Sequence, residues 1–67
     1  MNQYLKSLEL IKEDLGEERY RSACATALAI YYSKQTDNRQ EVANKTNRQL
    51  ESRGCKGYTY KFFRKFV

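Results

Sequence analysis

Residues 17–34, EERYRSACATALAIYYSK, decide the architecture of this chain. Wound as a helix, they place Tyr20, Cys24, Ala27, Leu28 and Tyr31 on one stripe, the pattern of a buried face. Alanines at 23, 25, 27 and 29 have the highest helix propensity of any residue. Glu17 and Glu18 stand at the helix start, where the backbone dipole favours acids. The small side chains let neighbouring helices approach closely. This stretch is therefore expected to be the central helix, ending near residues 33–35.

Upstream, Tyr4, Leu8, Ile11 and Leu15 fall at spacings of four, three and four, and Leu5 widens their stripe. That periodicity predicts a helix over 2–15, closed by Gly16 as a left-handed C-terminal cap. Downstream, Thr36-Asp37-Asn38 is a cap-rich break, and Asp37 with Gln40 has the spacing of a capping box. A helix over 38–53 follows, with Val42, Ala43, Thr46 and Leu50 as its apolar face and Gly54 as its stop. The tail from Cys55 to Val67 fits two patterns. As a strand it alternates Tyr58, Tyr60 and Phe62 against Thr59, Lys61 and Phe63. As a helix it turns Tyr58, Thr59, Phe62, Phe63 and Phe66 inward and separates charge from aromatic more cleanly. We take the helix over 58–66. The expected fold is all-α, a compact domain of three to four helices spanning 1–67.

Sixty-seven residues hold one hydrophobic core, and a chain this short buries only about 60% of the surface its unfolded form exposes. A bridge, a metal or a second subunit often supports so small a scaffold. The cysteines, Cys24 and Cys55, lie in a chain with no secretory leader pattern, so free thiols and a cytoplasmic location are expected. With no histidine and only two cysteines, 31 positions apart, no metal site is expected, nor any cofactor. The longest apolar run, residues 23–32, is ten residues, against about 20 for a membrane span. No membrane association is expected. A partner subunit, as in a homodimer, or a ligand is left as the source of extra stability.

Charge divides the chain. Residues 1–33 carry Glu9, Glu13, Asp14, Glu17 and Glu18 against Lys6, Lys12, Arg19 and Arg21, a net of −1. Residues 34–67 carry Asp37, Glu41 and Glu51 against nine bases, a net of +6. A polyanion is the natural partner of such a back half; solubilising charge is the plainer account.

The outward face of the 38–53 helix presents Gln40, Asn44, Asn47, Arg48 and Glu51, flanked by Arg39, Lys45, Gln49 and Arg53. Asparagine is a mediocre helix former, yet its amide, like the arginine fork, can bond a base edge twice. In the tail, Lys56, Lys61, Arg64 and Lys65 interleave with Tyr58 and Tyr60, a combination suited to phosphates and stacked bases. The three phenylalanines are more simply core. Two arrangements loosely like a helix-turn-helix follow, one reading with the 38–53 helix and one with the tail. The candidate nucleic-acid-binding residues are Arg39, Asn44, Lys45, Asn47, Arg48, Lys56, Tyr58, Tyr60, Lys61, Arg64 and Lys65.

Catalysis is not expected, because phosphate loop, nucleophile elbow and histidine are all missing from the sequence. The expected function is binding of DNA or RNA through residues 38–65, in a small regulator. The competing expectation is an accessory or phage-type protein that binds another protein and inhibits or adapts it.

Overall fold

A computed structural model describes residues 2–67. Helix α1 (Asn2–Leu10) and the one-turn α2 (Lys12–Leu15) precede the long α3 (Glu17–Ser33). Helix α4 (Arg39–Ser52) follows, and a 3₁₀ helix (Tyr60–Lys65) closes the chain. The fold is all-α and compact, with no strand among the described residues. Its radius of gyration of 11.3 Å matches the ~11 Å expected of a compact chain this long.

As expected, α3 is central. Tyr20, Cys24 and Leu28 are buried as the stripe predicts, but Ala27 is only half-buried and Tyr31 is exposed. Ala25 and Ala29 take their place in the core. The inward side of α3 is thus rotated toward α4, its most extensive partner, whose close approach methyl-sized side chains permit. Both cysteines are free.

The N-terminal helix is not continuous. Ile11, at φ −109° and ψ 15°, leaves helical geometry between α1 and α2. The Tyr4–Leu8–Ile11–Leu15 stripe does not survive: the break takes Ile11 out of phase, and within α1 itself Leu5 rather than Tyr4 turns inward with Leu8. Leu5 and Leu8 are buried, whereas Tyr4 and Ile11 are 56% and 43% exposed. Gly16 has the positive φ expected of it, 85°, but its ψ of 160° is extended rather than left-handed helical. It ends α2 through its N–H to Lys12 O and begins α3 through its C=O, which accepts from Tyr20 N.

The start of α4 is capped by Asn38, not Asp37. Asn38 Oδ1 accepts from the Glu41 N–H at 3.2 Å, which satisfies one of the donors a helix start leaves open. The inward face of α4 is as its periodicity requires, with Val42, Ala43, Thr46 and Leu50 all buried. Gly54, at φ 76°, carries the chain away after Ser52.

Two groups of buried side chains make up the core. Leu5, Leu8, Tyr20, Cys24, Ala25, Leu28 and Leu50 form one. Ala29, Val42, Ala43 and Phe63 form the other. Tyr32, Tyr58 and Phe62 pack against both and join them. The tail therefore belongs to the core, as a short helix rather than a strand.

Tyr20 brings a titratable group into that core. Burial, reinforced by its hydrogen bond with Cys24, pushes the phenol up to about 12 from an ordinary 10.0. Burial also raises the Cys24 thiol above its ordinary 9.0. In both cases the folded state keeps a proton that the unfolded chain releases. Their contribution to stability is therefore complete below about pH 9 and falls as pH rises toward 12. The melting temperature is expected to drop across that window, and Tyr20→Phe to flatten the portion between 10 and 12. Thermal melts of both proteins across the alkaline range check it.

Candidate nucleic-acid interface

Between α4 and the 3₁₀ helix, residues 55–59 have no regular structure, so their backbone polar groups need partners from elsewhere. Asn47 supplies two. Its Nδ2 donates to Tyr58 O and its Oδ1 accepts from Tyr58 N, each at 2.8 Å. Arg21, from α3, supplies two more: Nε donates to Lys56 O and Nη2 to Gly57 O, again at 2.8 Å each. The Arg21 guanidinium lies 3.9 Å from the centre of the Tyr58 ring, which itself stacks on Phe62 at 4.1 Å. Gly57 is obligatory here, because a Cβ at that position would lie 2.7 Å from Asn47 Cγ.

This clamp removes two residues from the expected binding surface. Asn47 points at the tail backbone, and both ends of its amide are occupied. Tyr58 is half-buried between Arg21 and Phe62, with neither face open for a base. Asn47→Leu is expected to cost about 2–3 kcal/mol, because it strands the Tyr58 N–H and C=O together. A urea titration of the variant measures the loss; a midpoint within error of the parent's contradicts the clamp.

The other α4 residues also divide. Asn44 is exposed, its Oδ1 accepting from Gln40 Nε2 at 3.0 Å. Lys45 pairs with Glu41 at 3.2 Å, so its charge is partly cancelled. Arg48 is exposed, on the same helix face as the acids Glu41 and Glu51. At about 100° per residue, Arg48 and Lys45 point well away from the Asn47 side on which the tail lies. The outward face of α4 is therefore close to neutral, and it does not merge with the tail.

The tail keeps its cations. In a 3₁₀ helix, side chains three apart eclipse one another. Tyr60, Phe63 and Phe66 share one edge, and Phe63 is its buried anchor. Lys61 and Arg64 share another edge and are both exposed. Lys65 lies over Phe62, its Nζ 4.7 Å from the ring centre. No acid occurs from Ser52 to Val67, and Lys56, Lys61, Arg64 and Lys65 form no salt bridge among the described residues. Tyr60 is 42% exposed. Arg39 stands beside it, 5.7 Å from ring centre to guanidinium, and donates its Nε to Val67 O at 2.8 Å.

Lys56 is set apart from the other three, because it lines one cleft with Glu17 and Glu18 at the start of α3. Glu13, Asp14, Glu17 and Glu18 cluster around the start of α3, while Phe63 packs against Ala29 near its end. A rise of ~1.5 Å per residue puts Glu17 and Ala29 roughly 18 Å apart. That is about twice the screening length at physiological salt, so the acidic end does little to weaken the field at the 3₁₀ helix.

No family model matches the chain, and neither a curated protein nor a solved structure is significantly similar to it. The site must be judged on its own geometry. Among the described residues, no cluster of three or more potential metal ligands occurs, and no helix is long and apolar enough to cross a membrane. Arg21 is the one important residue that sequence reasoning missed. A lone arginine on the flank of an amphipathic helix carries no sign of a backbone it will meet 35 residues later.

Proposed function

We propose that the protein is a nucleic-acid-binding module, for DNA or RNA, which grips the sugar-phosphate backbone through its C-terminal tail. The supporting observation is the exposed set Lys61, Arg64 and Lys65, without an ion-pair partner among the described residues and held in place by a tail that is part of the core, whereas Lys56 lies beside Glu17 and Glu18. Lysine and arginine on such a surface neutralise phosphates and release their counterions. Tyr60, half-exposed beside Arg39, offers a ring on which a base can stack. Asn44 and Arg48 sit on a separate, near-neutral face and can act only as secondary contacts. With Asn47 engaged by the protein itself, little remains for bidentate reading of bases. The proposal is therefore backbone binding with weak sequence preference, in a protein that binds rather than catalyses.

Fluorescence anisotropy with a labelled short duplex and a labelled single-stranded RNA, repeated over a range of salt, tests this. Three phosphate contacts predict that log K falls against log salt with a slope of about −3. A flat salt response, or no binding at about 50 mM salt, removes the proposal.

A further inference from the structure

A second surface lies on the other side of α3. Tyr4 from α1, Ala23, Thr26, Ala27, Ile30 and Tyr31 from α3, and Lys34 just past its end line an open groove of about 560 Å³. Tyr4, Ile30 and Tyr31 are 56%, 43% and 39% exposed, unusually open for large apolar side chains beside one another. Ala29 and Arg21, two of the α3 residues that meet the tail, point 120° or more away from the middle of this groove at about 100° per residue. The groove is thus separate from the cationic tail.

We propose that this groove receives an amphipathic helix of a second protein, apolar along one face and acidic at both ends. Its floor of small side chains lets a helix backbone come close, while Tyr4, Ile30 and Tyr31 form walls for apolar knobs spaced three and four apart. Charge decides the rest. The stripe starts at Arg19, one turn before Ala23, and ends at Lys34, about 22 Å further along the helix. Neither cation forms a salt bridge among the described residues. A second copy of this chain is a poor occupant, because an antiparallel α3 pair sets Arg19 against Lys34 and a parallel pair sets each against itself. An incoming helix with glutamate or aspartate in its first and last turns meets both cations favourably and gains specificity from them. The groove does not depend on nucleic-acid binding, and the two proposals can fail separately.

The probe is a stapled helical peptide of about five turns with a leucine-alanine stripe, made with glutamates in both end turns and again with lysines there. Binding to isotope-labelled protein is followed by amide NMR shifts. The glutamate peptide is expected to bind at least about tenfold more tightly than the lysine peptide, with shifts centred on Tyr4, Ala27, Ile30 and Tyr31. The exposed double variant Arg19→Glu/Lys34→Glu is expected to reverse that preference, and Ile30→Glu to abolish binding of both peptides while leaving the circular dichroism unchanged. Equal or absent binding of the two peptides overturns the proposal. So do shifts centred on Lys61 and Arg64, displacement of the peptide by a DNA duplex, or a dimer in sedimentation that Ile30→Glu dissociates.

Discussion

Replacing Phe63 with alanine is expected to unfold most of the protein at 25 °C. The ring is fully buried against Ala29, Val42 and Ala43. Removing a buried phenylalanine costs about 3–5 kcal/mol, the lost transfer energy plus the cavity left behind. A chain this short has a total stability at or below about 5 kcal/mol, so the loss is comparable with everything available. Collapse of neighbouring side chains into the space offers little relief, since the walls are alanine and valine from helices already in contact. Far-UV circular dichroism and a urea titration measure the outcome. Lys61→Ala, two residues away and exposed, is the control and is expected to change stability by less than about 0.5 kcal/mol. If Phe63→Ala melts like the parent, the tail is not the integral part of the core described here, and the placement of its cations loses its foundation.

Reversing the charge of Lys61 and Arg64 together carries the largest expected functional effect. The two share an edge of the 3₁₀ helix, are exposed, and have no acidic partner among the described residues. Each neutralised phosphate contributes about 0.9 to the salt slope, so losing two contacts should lower it by nearly two and weaken binding on the order of 100-fold at about 50 mM salt. Lys61→Glu/Arg64→Glu should fold normally, because both side chains are exposed and two glutamates repel each other no more than the two cations did. Lys45→Glu/Arg48→Glu, on the other side of α4, is expected to change binding by well under tenfold. Anisotropy titrations of the two double variants, with melts to confirm folding, separate a tail interface from one on α4. A larger loss from the α4 pair would relocate the site.

The reassignment of Asn47 shows how much of the candidate site was legible beforehand. Its position on α4, next to Thr46 and one turn before Leu50, places it at the border between core and solvent, where an amide can face either way. The side that wins depends on whether an unpaired backbone segment arrives, and Tyr58 arrives from 11 residues downstream. Lys61 and Arg64 were readable as neighbours on the outer side of a helical tail, since residues three apart adjoin in either kind of helix; what no local pattern gave was their separation from the cations of α4. The groove along α3 was hidden for a related reason. Tyr31 and Ala27 belong to the apparent buried stripe, yet Tyr31 is exposed and Ala27 only half-buried, because α3 turns Ala25 and Ala29 toward α4 instead.

From its residues alone this chain is committed to helices in α3 and α4, and to the inward placement of Tyr20, Cys24, Leu28, Val42, Ala43, Thr46 and Leu50. Periodicity and capping act over three or four residues, and the same short-range pattern selects both the helix and its apolar side. Tertiary packing decided the rest: the division at Ile11, the fastening of residues 56–58 by Arg21 and Asn47, and the separation of the tail's cations from those of α4. Those outcomes depend on which unsatisfied backbone group or ring meets which side chain across sequence separations of 11 to 36 residues. Meetings over such separations are set by how the helices fit together, and no local pattern encodes them.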